Sequence, residues 1–150
     1  MKKAVIVLLL SCTFASCTTT IDLYNWGAPI KDSKATRYEE LSYKNYDEQT
    51  PESICELLCL YDYLINNPGG SRGVVPPGIF AEYGYLLLKP ETAIVFAQYA
   101  TITQKRTFDV LDDYSSLFRE KGLYCFEQEM KLYPESVVFI TPLLNNLKNN

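Results

Sequence analysis

The clearest pattern in the chain is a recurrence of apolar residues at helical spacing after Thr50. Thr50 can cap a helix, Pro51 suits the first helical position, and Glu52 lies at the positive end of the helix dipole. The Asn-Asn-Pro-Gly-Gly run at residues 66–70 predicts where this helix ends. The apolar positions that recur at intervals of three and four are Ile54, Leu57, Leu58, Tyr61, Leu64 and Ile65.

The remaining pattern predicts further helices and no sustained strand. The opening Pro-Glu-Thr/Ser recurs at Pro90 and Pro134, so we expect helix starts of the same chemistry there. No alternation of apolar and polar residues persists, and the sum is an all-α domain of five or six helices. The other predicted elements are 34–46 (helical or extended), 79–88, 93–100 followed by a polar stretch at 101–107, about 113–133, and a last helix from Glu135 that Pro142 should bend.

Two glycines lie within these predicted helices. A glycine in mid-helix costs about 1 kcal/mol relative to alanine, so we expect Gly84 and Gly122 to mark places where another helix approaches closely. The helices at 81–88 and 115–133 then resemble a tetratricopeptide-like pair, although some 25 residues separate them. The expected architecture is a compact helical bundle with degenerate pairs of this kind.

The N-terminus predicts export and lipid attachment. Lys2 and Lys3 precede a short apolar run and then small residues, which is the pattern of a secretory signal peptide. The apolar run is too short to span a membrane. The segment 14–17 (Phe-Ala-Ser-Cys) resembles a bacterial lipoprotein signal, in which Cys17 is acylated and becomes the new N-terminus. We therefore expect a signal peptide at 1–16, a flexible lipidated tether at 17–35 and a single helical domain at 36–150.

This interpretation also predicts where the protein is located. No acidic residue follows Cys17 directly, and by resemblance to known sorting signals this favours an outer membrane, with the domain facing the periplasm. Cys12 is a weaker second candidate for the acylated cysteine. The alternative is an ordinary signal peptide that is cut elsewhere, which leaves Cys17 as a free thiol.

Composition and charge exclude several classes of function. The 150-residue chain has no histidine, which excludes a Ser-His-Asp triad, a Cys-His pair and a zinc site with histidine ligands. Ser71 lies in a G-x-S-x-G string, but without histidine we interpret residues 69–78 as a loop. Loss of Lys2 and Lys3 changes the net charge from −4 to −6, which argues against nucleic acid as a partner. We expect no catalytic residue, no cofactor and no metal.

Three cysteines remain in the mature chain, an odd number that cannot form a complete disulfide framework. Cys55 and Cys59 are four residues apart and share one face of the predicted helix. They are either a redox pair or two small core residues. We favour core thiols for them and for Cys125, because no neighbouring basic residue in the sequence would lower their pKa.

Three blocks of sequence carry a resemblance to a known family. They are residues 24–27 (Tyr-Asn-Trp-Gly), residues 75–87 and residues 126–136, in this order after the lipoprotein cysteine. Together they resemble a domain-of-unknown-function family of small Gram-negative lipoproteins. The resemblance implies an accessory subunit of an envelope complex, because members tend to be encoded beside lipoproteins similar to the curli-secretion channel.

Two hypotheses about function follow. In the first, the protein is a non-enzymatic interaction subunit that docks on another envelope lipoprotein through Trp26, Arg72, Tyr83 and Tyr85, since Trp, Tyr and Arg are enriched at binding hot spots. In the second, it is a cell-wall hydrolase that uses a carboxylate such as Glu52 or Glu135, each followed by serine. Binding of a small ligand is a third possibility that the sequence leaves open.

Overall fold

The computed structural model of the chain describes residues 22–31, 33, 35–108 and 113–148. The predicted signal peptide and Cys17 lie outside these residues. The described part of the chain is helical, with isolated bridges in place of strands. Its elements are α1 (Arg37–Glu48), α2 (Pro51–Asn66), α3 (Ile79–Leu88), α4 (Thr92–Tyr99), α5 (Ile102–Thr107), α6 (Tyr114–Leu132), a 3-10 turn (Pro134–Ser136) and α7 (Val137–Lys148).

The predicted all-α fold is confirmed, with seven α-helices in the described residues where we expected five or six. The additional helix is α5, in a stretch that we interpreted only as polar. Thr101 accepts a hydrogen bond from the backbone N–H of Gln104, and the Gln104 side chain accepts one from the N–H of Thr101. This reciprocal capping box starts a helix that lacks a strong apolar pattern.

The three similar helix openings behave differently. At α2, the Thr50 hydroxyl accepts a hydrogen bond from the Ser53 N–H at 3.1 Å, and Pro51 is the first helical residue, as predicted. At α4, Glu91 forms no capping hydrogen bond through its side chain. Pro134 begins the 3-10 turn. The first opening therefore has all of the predicted chemistry, and the third has the proline and the glutamate in its first turn but no side-chain cap.

Helices α3 and α6 cross at two glycines. A Cβ added to Gly84 would lie 2.9 Å from the Gly122 carbonyl oxygen, and one added to Gly122 would lie 2.6 Å from Leu88 Cγ. Real Cβ atoms do not approach so closely, so only glycine permits this backbone contact. The predicted use of both residues is confirmed, and we call this contact the glycine crossing.

The start of α3 is capped from another helix. Its N-cap residue is Gly78, which has a φ of +89° and no side chain that could accept a capping hydrogen bond. Glu129 of α6, only 2% exposed, accepts hydrogen bonds from the backbone N–H groups of Gly78 at 2.8 Å and Ala81 at 3.4 Å. A carboxylate is stabilised at this position because the N-terminal end of a helix is electropositive.

The core lies around α3 and α4, which both pack against α2 and against α6. Phe96 of α4 is fully buried, and its ring meets three other rings edge to face at centroid distances of 4.9 to 5.4 Å. Edge-to-face pairs of this kind add to the burial of apolar area. The three partners of Phe96 are Phe108, Tyr114 and Phe118.

Candidate interaction surfaces

The residues that we expected to bind a partner do not lie on one surface. Trp26 and Arg72 lie together beside the first described residues, whereas Tyr85 lies on α3 near the C-terminal helix α7. Tyr83 lies in the core. These residues therefore cannot all belong to one binding site.

The first described segment, residues 22–31, is attached to the helical domain, although the sequence predicts that it belongs to a tether. The backbone N–H groups of Ser71 and Arg72 donate to the carbonyl oxygens of Asp22 at 2.9 Å and Leu23 at 3.1 Å. Gly70 makes this contact possible, because a Cβ there would lie 2.5 Å from the Leu23 backbone. The segment is thus held at its first described residues.

Trp26 continues this attachment. Its carbonyl oxygen accepts a hydrogen bond from the Tyr38 N–H at 3.2 Å, and the two rings are 5.1 Å apart between centroids. The half-buried Trp26 side chain packs against the core, so at least part of its role is to hold the segment in place.

Arg72 is exposed and joins the same surface through Tyr24. Its guanidinium donates to the Tyr24 hydroxyl at 2.8 Å and lies 5.5 Å from the centre of the Tyr24 ring. A cleft of about 630 Å³ lies beside these residues, lined by the segment and by the loop at residues 69–71. The structure therefore unites Trp26 and Arg72, which the sequence assigns to separate parts of the chain.

The prediction that Tyr83 binds a partner is wrong, because its side chain is fully buried. Its hydroxyl donates to Asp62 Oδ1 at 3.2 Å. Burial, with the nearby Asp62 carboxylate, raises the pKa of Tyr83 well above its ordinary value. A partner cannot reach this side chain in the folded protein.

The Asp62 carboxylate is the centre of a buried polar cluster. Lys121 forms an ion pair with Asp62 Oδ1, and Asn66 Nδ2 donates to Oδ2 at 3.0 Å. The Lys121 ammonium also lies 5.7 Å from the Tyr83 ring centre and 5.4 Å from that of Phe108. Because each carboxylate oxygen has a donor, the cluster satisfies a buried charge and links α2, α3 and α6.

The three described cysteines are free thiols. Cys55 and Cys125 are buried, which agrees with their interpretation as core residues, whereas Cys59 is half-buried. Burial raises the pKa of Cys55 and of Cys59 to about 11, and that of Cys125 to about 12. Since the thiolate is the reactive form, these thiols are poor nucleophiles near neutral pH.

Tyr85 is 54% exposed and lies on a largely apolar surface. With α7 it borders a cleft of about 240 Å³, whose lining includes Leu88, Leu143 and Leu147. Phe139, four residues before Leu143 on the same side of α7, is 75% exposed. We call Tyr85, Leu88, Phe139, Leu143 and Leu147 the apolar edge.

Charge is absent from this part of α7. No Asp, Glu, Lys or Arg occurs between Glu135 and Lys148, and the run at 137–144 is apolar except for Thr141. Of this run, Ile140 is buried, while Val138 is 74% exposed. A helix that is apolar on nearly all sides is normally buried. In α7, by contrast, the rest of the domain leaves large apolar side chains exposed to solvent.

The carboxylates of the hydrolase hypothesis are exposed. Glu52 lies in the first turn of α2 and Glu135 lies in the 3-10 turn. Neither lines the cleft beside Trp26 or the cleft at Tyr85. Among the described residues, these two clefts therefore offer no support for Glu52 or Glu135 as a catalytic group.

Comparisons of the chain with protein-family models, with curated proteins and with solved structures found no match. The resemblance to the lipoprotein family and to tetratricopeptide-like pairs therefore remains a prediction. Among the described residues, no helix is both long enough and apolar enough to cross a membrane.

Proposed function

We propose that the protein is a lipoprotein of the outer membrane, anchored through Cys17 and facing the periplasm. In this proposal it acts as an interaction or accessory subunit of a cell-envelope complex and docks on its partner through the apolar edge. The partner that the family resemblance suggests is a lipoprotein similar to the curli-secretion channel.

The observation that carries the docking proposal is the exposure of apolar side chains on α7. Phe139 is 75% exposed and Val138 is 74% exposed, and Leu143, one turn after Phe139, lines the cleft that the half-exposed Tyr85 borders. Contiguous apolar surface on a soluble domain is typical of interaction sites. Tyr85 at this cleft and Phe139, one turn before Leu143, also offer the aromatic anchors that dominate binding energy at protein interfaces.

Charge supports the same assignment. The mature chain has an expected net charge of −6, yet residues 136–147 carry none. A partner can cover this side of α7 with little desolvation of ionised groups, although the Lys89 ammonium lies 5.2 Å from the centre of the Tyr85 ring at its border. The acidic remainder of the protein stays in contact with solvent and disfavours non-specific association.

A photo-crosslinking amino acid at position 139 tests the docking surface in the native envelope. We expect one dominant adduct with another envelope protein, which mass spectrometry of the purified adduct would identify. Position 46 provides a matched control, because Tyr46 is 78% exposed but lies on α1. Adducts of the same protein in the same yield from both positions, or from position 46 alone, would contradict docking at the apolar edge.

The anchor has its own test. Substitution Cys17→Ala should move the protein from the membrane fraction to the soluble periplasmic fraction, because no acyl chains would then hold it. Retention of the variant in the membrane fraction, with no change in amount, would rule out Cys17 as the anchor.

A further inference from the structure

The attachment of residues 22–31 shortens the link between the proposed anchor and the folded domain. An extended chain spans at most about 3.6 Å per residue. From Cys17 to Asp22 this gives a reach of roughly 18 Å, whereas a tether that ended at residue 35 would reach roughly 65 Å. The first described residues therefore limit how far the domain can move from the membrane.

The position of Asp22 and Leu23 on the domain is well defined. Both carbonyl oxygens accept hydrogen bonds from the loop that contains Ser71 and Arg72, and Gly70 allows the backbones to touch. A lipid on Cys17 would consequently hold this loop, and not another part of the surface, close to the bilayer.

The side chains around this position suit a lipid interface. Leu23 is 55% exposed and Val74 is 36% exposed, so both can enter the apolar margin of a bilayer. Tyr24 and Trp26 offer the amphipathic rings that are enriched where lipid meets water. Arg72 adds an exposed cation that can reach lipid phosphates.

We infer that this face, which consists of Leu23, Tyr24, Trp26, Arg72 and Val74, rests on the lipid surface of the membrane that holds the anchor. The inference rests on the proposed acylation of Cys17. It assigns Trp26 and Arg72 to the membrane and leaves the apolar edge, which shares none of these residues, for the protein partner.

The electrostatics of the face indicate the kind of contact. The exposed carboxylate of Asp22 lies beside the loop of Arg72. Anionic lipid attracts the arginine and repels the aspartate, so the two effects largely cancel. Apolar and aromatic side chains then dominate the contact. The association should persist at high salt and in vesicles without anionic lipid, because neither condition weakens the burial of apolar area.

A tryptophan at the face provides the test. Trp26 is the only tryptophan in the chain, so a chain with W26F and L23W reports from position 23 alone. The lipidated protein would be purified in detergent and reconstituted into vesicles of phosphatidylethanolamine and phosphatidylglycerol, with and without brominated acyl chains. We expect about twofold quenching and a blue shift of emission, since interfacial side chains lie roughly 5–10 Å into the lipid boundary.

The matched control, with W26F and Y46W, places the reporter on α1, beside the N-terminal end of α2. Asn25 donates to the carbonyl of Asn67 just beyond the end of α2, whereas Asn45, next to Tyr46, accepts from Ser53 in its first turn. The 16 residues of α2 separate these ends by about 24 Å. Emission from position 46 should therefore be quenched less than emission from position 23.

The outcomes distinguish the inference from the proposal that supports it. Mass spectrometry of the N-terminal peptide reports whether Cys17 carries lipid. Equal quenching at both positions, or none at position 23 although Cys17 is acylated, would overturn the membrane face alone. A chain without lipid on Cys17 would overturn the anchor as well. Photo-crosslinks from position 23 to a protein in the native envelope would assign this face to a partner instead.

Discussion

The glycine crossing and the C-terminal helix α7 illustrate two ways in which a helix joins this domain. At the crossing, α3 and α6 bring their backbones together at Gly84 and Gly122, and Glu129 caps α3 from α6. Helix α7 is also rich in large apolar residues, yet its first half buries Ile140 and leaves Phe139 exposed.

The difference shows that hydrophobic content alone does not decide burial. A helix is buried where the facing surface is complementary to it, and the two facing glycines let the backbones of α3 and α6 approach while Leu88 and Phe126 pack against them. In the described part of the chain, the exposed side of α7 meets no such second surface. We therefore expect the crossing to contribute more to stability than the exposed side of α7, which is available to the proposed partner.

The largest expected effect is at the crossing. Substitution Gly84→Val should lower the free energy of unfolding by about 3 kcal/mol, because its Cβ would lie 2.9 Å from a carbonyl oxygen that cannot move without its helix. Urea unfolding followed by circular dichroism would measure this loss. Ala97→Val, at an exposed position of α4, is the control and should lose less than about 1 kcal/mol. Similar losses for the two variants would show that the crossing tolerates side chains.

A smaller effect is expected within α7, where two neighbouring residues can be compared. Ile140→Ala should lower the free energy of unfolding by about 2 kcal/mol, because Ile140 is only 2% exposed. Phe139→Ala should change it by less than about 0.5 kcal/mol, since this side chain is 75% exposed. The same urea measurements apply. If Phe139→Ala were the more damaging of the two, α7 would bury a different face from the one described.

The smallest effect is a pH dependence from the cap of α3. Burial raises the pKa of Glu129 above its ordinary value of 4.5, although backbone N–H groups partly oppose this. A raised pKa in the folded state means that the folded protein holds this proton more tightly than the unfolded chain does. The stability that the group contributes is therefore greatest below pH 4.5 and falls as the pH rises through its folded-state pKa.

The variant Glu129→Gln removes this titration and keeps one oxygen that can accept a hydrogen bond. Free energies of unfolding for the wild type and the variant would be measured between about pH 4 and 7, and their difference compared. The free energy of unfolding of the wild type, minus that of the variant, should decrease as the pH rises. A difference that is constant or that changes in the opposite direction would contradict the raised pKa.

Much of the secondary structure could be predicted from the sequence, because its determinants are local. The cap at Thr50 with Pro51 sets the start of α2, and the prolines at 77 and 90 bracket α3, which has the predicted bounds 79–88. Helix α5 was missed because a six-residue helix shows too little periodicity. The capping pair Thr101 and Gln104 was the available signal.

The candidate site was harder to predict. Tyr83 and Tyr85 were both expected at a partner, but Tyr83 lies on the buried face of α3, four residues after Ile79 and three after Phe80. Helical spacing alone could have separated the two tyrosines. No local signal shows that Leu23 meets Gly70, since nearly fifty residues separate them in the chain.

The sequence by itself determined the all-α fold, the main helices and the use of two mid-helix glycines. These follow from interactions within a few residues of each other and from the exclusion of side chains at a close contact. Only the tertiary structure decided which tyrosine is buried, that Glu129 caps a distant helix and that residues 22–31 are attached to the domain. These features depend on surfaces that meet only after the helices have packed, and no local pattern of residues specifies them.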